Sequence, residues 1–169
     1  MKKFNIIVAA TAEGGISMNG VLPWKLRDDM IRFRMLTMGG TVIMGSKTWS
    51  SIPLNYRPLA GRKNIVLSSS ELDVPKDVAV AKSLDEALSI AEGEIWIIGG
   101  ARNYTEALKH PLLAQIYYTR VNHNYTCDNF IPILTNNEFI TVEDSGKKLE
   151  KGISYNFLVL ERRMITEEE

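Results

Sequence analysis

The sequence has little of what disulfide and metal chemistry require. It contains a single cysteine, Cys127, and two histidines, His110 and His123. One cysteine cannot close an intramolecular disulfide, and these three side chains are too few for a Cys/His metal site. We therefore interpret Cys127 as an inert apolar residue in a reducing compartment, and we expect no bound metal.

The chain also lacks long apolar runs and a surplus of either charge. No segment approaches the roughly 20 apolar residues that span a bilayer, and residues 1–10 lack the apolar core and cleavage site of a signal peptide. The 20 basic side chains balance the 20 acidic ones at pH 7, so no overall field attracts nucleic acid or an anionic membrane. We expect a soluble, cytoplasmic protein that binds neither of them and whose anion sites are local.

The length of the chain predicts one domain. A protein of 169 residues can bury about two thirds of its unfolded surface without help from a partner. We expect this domain to span residues 1–163 and to be a monomer. Residues 164–169, which end in three glutamates, are expected to form a disordered acidic tail.

Short apolar runs alternate with helical stretches along the chain. These runs are Phe4 to Ala10, Thr41 to Met44, Asn64 to Leu67, Ile95 to Ile98 and Ile116 to Val121. Successive positions are apolar, which is typical of parallel strands that are covered on both faces. Phe139 to Glu143 and Ile153 to Glu161 indicate an antiparallel hairpin. The pattern predicts a single-domain α/β fold with a mostly parallel central sheet, an antiparallel C-terminal edge strand, and helices on both faces.

Three of the predicted strands are followed by glycine or serine, at Gly45, Ser68 and Gly99-Gly100. Ligands of open α/β sheets bind at the carboxyl ends of the strands. We therefore expect the binding site at this edge of the sheet.

One carboxylate lies on the apolar face of a predicted helix. Leu26, Met30, Phe33 and Thr37 recur at helical spacing, and Asp29 falls on the same face. Asp29 could simply stabilise the positive first turn of the helix, or it could meet a ligand, because an unpaired buried carboxylate is unfavourable. The aromatic ring of Phe33 at i+4 favours a flat, nitrogen-rich heterocycle as that ligand.

The neighbouring Asp28 points about 100° away from this face. We interpret it as a charge that faces water. Before the helix, Leu22 and Trp24 close a loop from Thr11 to Gly20 that is rich in Gly, Ser and Asn and has few structural constraints of its own. Such a loop can act as a lid.

Several motifs follow one another in a fixed order. They are Gly15 to Trp24, Asp29 four residues before Phe33, Val42 to Gly45 with Lys47-Thr48-Trp49, Ser51-Ile52-Pro53, Arg57 to Ser69, Ile97 to Arg102 with Tyr104, Tyr117-Tyr118-Thr119, and Cys127 to Phe130. In this order and spacing they resemble the dihydrofolate reductase family over about residues 4–163. The resemblance implies reduction of dihydrofolate by NADPH, and binding of antifolate inhibitors.

The resemblance also assigns roles at the substrate end. Asp29 would accept a bidentate hydrogen bond from the pterin 2-amino group and N3, and the Thr119 hydroxyl would support it. The forked guanidinium of Arg62 would bind the α-carboxylate of the glutamate tail. Trp24 would hold an ordered water, and Leu22 would close the loop. The remaining substrate contacts implied are Ile7, Ala9, Met30, Phe33, Ser51, Ile52, Leu59 and Ile98.

At the cofactor end, the resemblance implies that backbone amides at two helix starts bind the pyrophosphate. It also implies an unusual cis peptide at Gly99-Gly100, and a 2'-phosphate held by Lys47, Ser68 and Ser69. The full set of implied cofactor contacts is Ala9, Ile16, Gly45, Ser46, Lys47, Thr48, Leu67, Ser68, Ser69, Ile98, Gly99, Gly100, Ala101, Arg102 and Tyr104.

Two residues depart from the pattern of many relatives. Ser46 stands where a second basic residue is common, and Arg102 is expected to compensate. Ser17 stands where glycine is common, and glycine visits positive φ freely whereas serine does not. We therefore expect the mobility of the loop to differ, while the chemistry is retained.

Other functions fit the sequence less well. The segment from Gly40 to Thr48 nearly spells a phosphate-binding loop, but Ser46 separates Gly45 from Lys47. The first strand leads into Thr11-Ala12-Glu13-Gly14-Gly15, which is not the G-x-G-x-x-G of a Rossmann dehydrogenase. A riboflavin-pathway pyrimidine reductase of similar fold and a catalytically silent nucleotide- or folate-binding module remain as alternatives.

Overall fold

One central sheet of nine strands organises the computed structural model, which describes residues 2–164. The strands in chain order are β1 Phe4–Thr11, β2 Gly15–Ser17, β3 Thr41–Gly45, β4 Lys63–Leu67, β5 Ala79–Ala81, β6 Ile95–Ile97, β7 Leu113–Val121, β8 Asn129–Phe130, β9 Phe139–Asp144, β10 Lys148–Glu150 and β11 Ile153–Arg162. The helices are α1 Arg27–Thr37, α2 Ser46–Ser51, α3 Leu84–Ile90 and α4 Ala101–Lys109, with a 3-10 turn at Leu54–Tyr56.

The sheet is mixed, with a parallel centre. Its order is β10-β11-β7-β1-β6-β3-β4-β5. The pairs from β7 through β1, β6, β3 and β4 to β5 are parallel, whereas β11 is antiparallel to β7. Both β9 and β10 pair with β11 and are antiparallel to it. The predicted α/β fold with an antiparallel C-terminal edge is therefore confirmed.

Alternating residues of the strands pack against helices on both faces of the sheet. On one face, Ile43 belongs to the core cluster that includes Leu88 of α3 and Ala107 of α4. On the other face, Met44 packs with Trp49 of α2, and Leu36 of α1 lies against the same cluster. Because side chains alternate along a strand, a continuous apolar run serves both layers.

Four short strands, β2, β5, β8 and β10, were not predicted from the sequence. Of these, β2 and β8 form a separate two-stranded sheet, in which Gly15 pairs with Phe130 and Ser17 with Asn129. The expectation that residues 11–20 have few structural constraints is therefore wrong, because β8 holds the middle of that loop. Of the other two, β5 extends the parallel sheet beyond β4, and β10 pairs with β11 inside the stretch expected to be the loop of the hairpin.

The described chain ends just after β11. Met164 is exposed, and the rest of the expected tail, residues 165–169, lies outside the described residues. Within residues 2–164, no helix has the length and apolar character needed to cross a membrane.

Candidate active site

A large cleft opens at the carboxyl ends of β3, β4 and β6. Its volume is about 1730 Å³, whereas a site for one small molecule typically has about 300 to 1,000 Å³. The cleft therefore has room for two ligands side by side.

The cleft brings most of the sequence-predicted residues together. The part that we call the substrate side is lined by the residues expected there, Ile7, Ala9, Leu22, Asp29, Met30, Phe33, Ser51, Leu59, Arg62 and Ile98. The part that we call the cofactor side is lined by the expected cofactor contacts, Ala9, Ile16, Gly45, Ser46, Lys47, Thr48, Leu67, Ser68, Ser69, Ile98, Gly99, Gly100, Ala101, Arg102 and Tyr104. Three of the predicted residues, Trp24, Ile52 and Thr119, are not part of this lining.

Asp29 lies at the enclosed end of the cleft, in the first turn of α1. The Thr119 hydroxyl on β7 donates a hydrogen bond of 2.6 Å to Asp29 Oδ1. Burial raises the pKa of Asp29 from its ordinary value, while the Thr119 hydroxyl and the charge of Arg32 lower it and Glu150 raises it further. Thr119 thus acts from beneath the cleft floor: it orients the carboxylate through Oδ1 and leaves Oδ2 and the second lone pair of Oδ1 for a ligand.

The rest of α1 differs in part from the expected apolar stripe. Leu26 and Thr37 are buried, whereas Met30 is 62% exposed. Met30 therefore lines an open part of the cleft, although its helical spacing predicted that it lies on the apolar face of the helix. Asp28 is exposed and does not line the cleft, which places the two adjacent acids in the different directions that helical geometry requires.

Arg62 lies at the open end of the substrate side. Its Nη1 donates to Thr37 Oγ1 at 3.1 Å and its Nε donates to the Ala60 carbonyl at 3.0 Å. Its guanidinium lies 6.0 Å from the centre of the Phe33 ring. Burial lowers the pKa of Arg62 from its ordinary value, and the nearby positive charge of Arg34 adds to this shift. Two donors hold the guanidinium in place, and its remaining N–H groups are available for an anion.

The cofactor side is built on the Gly99-Gly100 peptide, which is cis as the resemblance implied. Gly45 N donates to the Gly99 carbonyl at 2.8 Å, so two strand ends approach closely. Gly99 has φ +128°, and a Cβ there would meet Thr48 Oγ1 at 3.3 Å. Only glycine suits this backbone conformation, which leads directly into the first turn of α4.

One basic residue of the cofactor side was missed. Lys82 lines the cleft together with Lys47, Ser68 and Ser69. It directly follows β5, whose residues Ala79–Ala81 are too few to give a clear alternating pattern. Extending the sequence rule that ligands bind after strand ends to this short apolar segment could have found it.

The loop before α1 is anchored at Ser17, and its positive φ values lie at other residues. Ser17 is paired in β2, and its carbonyl accepts from Asp128 N at 3.0 Å. The positive φ values in this loop belong instead to Gly14, Asn19 and Gly20. Ser17 is therefore an anchored strand residue without positive φ, and the expected difference in loop mobility stays a prediction.

Trp24 and Ile52 lie behind the cleft. Trp24 is buried and packs against Tyr125 with ring centres 5.7 Å apart, and within residues 2–164 its Nε1 has no hydrogen-bond partner. Ile52 packs against the cluster that contains Trp49. Trp24 thus offers one buried donor near the loop, and Ile52 supports the wall from outside.

A cleft at the carboxyl edge of a parallel sheet, large enough for two ligands, is the type of site at which α/β enzymes bind a dinucleotide beside a second substrate. Comparison with known proteins gives the family. Residues 3–162 match the family model described as dihydrofolate reductase, and the chain belongs to that family. The predicted family is therefore confirmed, and the chain is an oxidoreductase that acts on dihydrofolate.

The relatives cover the chain almost completely. The dihydrofolate reductase of Heliothis virescens is 38% identical over 180 residues, covering 95% of this chain and 97% of the relative. That of Drosophila melanogaster is 34% identical and covers 96% and 99%, and that of Aedes albopictus is 35% identical and covers 96% and 98%. The similarity thus extends over the whole fold and includes both sides of the cleft.

Proposed function

We propose that the chain reduces 7,8-dihydrofolate to 5,6,7,8-tetrahydrofolate, with NADPH as the hydride donor. The observation that carries the proposal is the pairing of the half-buried Asp29 with Thr119 at one end of a cleft whose other side is the Gly99-Gly100 turn before α4. The first feature suits a pterin and the second suits a dinucleotide.

At the pterin end, Asp29 selects and orients the ring. A carboxylate accepts two hydrogen bonds from an amidine-like edge, here the 2-amino group and N3. Because Thr119 donates to Oδ1, the position of the carboxylate is fixed before the ligand arrives. Orientation of this kind brings the reacting carbon into line with the hydride donor, which is a large part of what the protein contributes.

Asp29 also favours protonation at N5. When bound, NADPH supplies the hydride that C6 of the pterin accepts. The proton that completes the reduction goes to N5, while the bonds of Asp29 are on the 2-amino side of the ring. Asp29 therefore acts through its negative charge and through water, and it is not the direct proton donor. We assign the buried Nε1 of Trp24 as the donor that holds this water near the pterin.

The residues on the cofactor side fit a dinucleotide with a 2'-phosphate. Gly99 leaves open the space that a Cβ would fill against Thr48, so a pyrophosphate can approach the backbone at the start of α4. Lys47 and Lys82 lie on this side with Ser68 and Ser69. Two ammonium groups and two hydroxyls match a phosphate dianion, and this match favours NADPH over NADH.

The open end of the substrate side fits the glutamate tail of folate. Arg62 is held by two hydrogen bonds and still presents donors to the cleft, which suits a carboxylate. Compounds that carry a diaminopyrimidine or diaminopteridine ring present the same donor pattern to Asp29, so we place antifolates in the same half of the cleft. We further propose that the chain works as a cytoplasmic monomer.

The decisive experiment follows NADPH oxidation by absorbance, with dihydrofolate and NADPH added separately and together. We expect oxidation only when both are present, and a much lower rate with NADH. Asp29→Asn is the matched variant, because it preserves the shape of the side chain and removes its charge. Binding of both ligands without turnover would instead identify a catalytically silent module.

A further inference from the structure

The first turn of α1 is capped by a residue from the far end of the chain. Glu150, the last residue of β10, accepts from Arg27 N at 2.7 Å through Oε2 and from Asp28 N at 3.0 Å through Oε1. These bonds span 123 and 122 positions in the sequence. The carboxylate thus binds two consecutive amides with its two oxygens.

This cap replaces one that α1 cannot make locally. The N-cap residue is Leu26, whose apolar side chain offers no acceptor, whereas most helices use Ser, Thr, Asp or Asn at this position. The first intrahelical bond of this turn runs from Met30 N to the Leu26 carbonyl at 3.2 Å. The amides before Met30 need external acceptors, and Glu150 supplies them for Arg27 and Asp28.

The cap also connects α1 to the strands β10, β11 and β7, the last of which carries the hydrogen-bond partner of Asp29. Glu150 is paired with Ile153 of β11, and β11 is paired with β7, which carries Thr119 opposite Phe157. The same part of the sheet therefore holds the helix at Glu150 and holds the Asp29 carboxylate at Thr119. Asp29 is the residue that directly follows the two capped amides.

The loop before α1 ends at the amide of Arg27, which Glu150 also holds. Asp128 Oδ2 accepts from Asn19 N at 3.0 Å, and the next side-chain anchor along the chain is Glu150 at Arg27 N. Between these two anchors, Leu22 is 50% exposed. The segment between Asn19 and Arg27 therefore has a carboxylate anchor at each end.

We propose that Glu150 is a positioning residue, whose carboxylate fixes the first turn of α1 on β10 so that Asp29 and the end of the active-site loop keep their places. The inference rests on the proposed function, because it gives Asp29 its role at the pterin. Glu150 itself does not line the cleft.

The negative charge of Glu150 affects the pKa of Asp29, which gives the proposal a pH-dependent readout that a purely structural cap would not have. The groups that face Asp29 are Arg32 on α1, Glu150 on β10, Tyr155 on β11 and Tyr104 on α4. Burial raises the pKa of Asp29, Arg32 lowers it, and Glu150 raises it. Removing the charge of Glu150 should therefore lower the pKa of Asp29 and shift the pH profile of hydride transfer to lower pH.

The test compares Glu150→Ala, Glu150→Gln and Glu138→Gln. The first variant removes the cap, and the second keeps an acceptor but not the charge. The third removes an equal charge at an exposed position just before β9. Each variant is assayed for single-turnover hydride transfer against pH, for the KM of dihydrofolate, and for hydrogen exchange of the Arg27 and Asp28 amides.

We expect Glu150→Ala to speed exchange at Arg27 and Asp28 and to slow hydride transfer, each by about threefold or more. The KM should change little, because Arg62 at the other end of the cleft is unaffected. Glu150→Gln should recover part of the exchange protection and still shift the pH profile to lower pH. Glu138→Gln should match the wild-type protein in all three measurements.

Two results would overturn the inference. One is unchanged exchange at Arg27 and Asp28 in Glu150→Ala. The other is faster exchange with a wild-type rate and pH profile, which would make the cap purely structural. Failure of the proposed function is a separate result, because it means that the wild-type chain does not oxidise NADPH with dihydrofolate, whereas the exchange measurement needs no turnover.

Discussion

The two ends of the substrate side carry opposite charges and are held in different ways, although both depend on α1. At the enclosed end, Asp29 in the first turn accepts from Thr119, and burial raises its pKa. At the open end, Thr37 in the last turn accepts from Arg62, which keeps further donors free. The helix α1 thus carries the carboxylate in its first turn and holds the guanidinium at its last turn.

This difference separates catalysis from binding. A group at the enclosed end interacts with charge that changes during the reaction, and such interactions affect kcat. A group at the open end meets a tail that is the same in substrate and transition state, so it affects KM. Substitutions at the two ends should therefore have different kinetic signatures.

The largest effect is expected at the enclosed end. Asp29→Asn places an amide donor against the donors of the pterin and removes the charge that favours N5 protonation. We expect kcat/KM at neutral pH to fall by about 10² to 10⁴. Activity should recover towards acidic pH, where solvent protonates the substrate first, and a pH profile of single-turnover hydride transfer measures both effects.

The adjacent acid is the control for this prediction. Asp28→Asn, on the exposed side of the same turn, should reduce kcat/KM by well under about tenfold and leave the pH profile unchanged. If Asp28 proves indispensable and Asp29 replaceable, the assignment of the pterin site is wrong.

Asp29→Asn should raise the thermal stability of the protein although it lowers its activity. Because the folded protein raises the pKa of Asp29 above its ordinary value of 3.8, the ionised carboxylate destabilises the fold at neutral pH. Asp29→Asn should therefore raise Tm at neutral pH. The gain should disappear as the pH falls below the ordinary value, where the carboxyl is protonated in both states, and thermal unfolding at several pH values measures it.

The open end should give the next largest effect. Arg62→Leu removes a charged, bidentate contact with the tail, so the KM of dihydrofolate should rise more than about tenfold while kcat changes little. Steady-state kinetics with dihydrofolate and with a pterin that lacks the glutamate test this. An equal loss with the truncated substrate would show that Arg62 has a structural role instead.

Removal of one ammonium group from the cofactor side should weaken binding of NADPH but not of NADH. Lys47→Ala should weaken NADPH binding about tenfold and leave NADH nearly unchanged, because a charge-assisted hydrogen bond contributes about 1.5 to 3 kcal/mol. Titration with each cofactor measures the two affinities. Lys109→Ala, at an exposed position in the last turn of α4, removes the same charge away from the cleft. Equal losses for NADPH and NADH would mean that Lys47 does not contact the 2'-phosphate.

The sequence predicted those parts of the fold and the site that depend on local patterns. The apolar runs that lead to Gly45 and Gly99 form β3 and β6, and parallel pairing brings the ends of these strands to one edge. Helical spacing also separated Asp29 from Asp28. In each case the spacing of a few neighbouring residues carries the information.

The rest could not be predicted because it depends on distant contacts or on the shape of the cleft. Glu150 caps α1 across more than a hundred residues, and no local pattern marks that contact. Met30 has the spacing of a core residue, yet the cleft exposes it. Ser17 was expected to alter the mobility of the loop, because the sequence does not show that β8 pairs with it.

The smallest effect is expected in the loop, at Ser17. Because Ser17 is a paired strand residue without positive φ, Ser17→Gly relieves no strain and only loosens β2. We expect product release to change by less than about threefold and hydride transfer to stay the same, since loop motion affects release more than chemistry. Pre-steady-state kinetics with deuterated NADPH separate the two steps.

The matched substitution, Gly20→Ala, tests whether the strained position of the loop lies after Ser17. Gly20 has φ +75° and nothing within 4 Å of an added Cβ, so the only cost is the left-handed backbone, roughly 1 kcal/mol. Gly20→Ala should therefore alter release more than Ser17→Gly does, although the methyl group meets no neighbour. The reverse order would restore Ser17 as the hinge. A change in hydride transfer with unchanged release, in either variant, would show that this loop positions the reacting rings and does not only open and close over them.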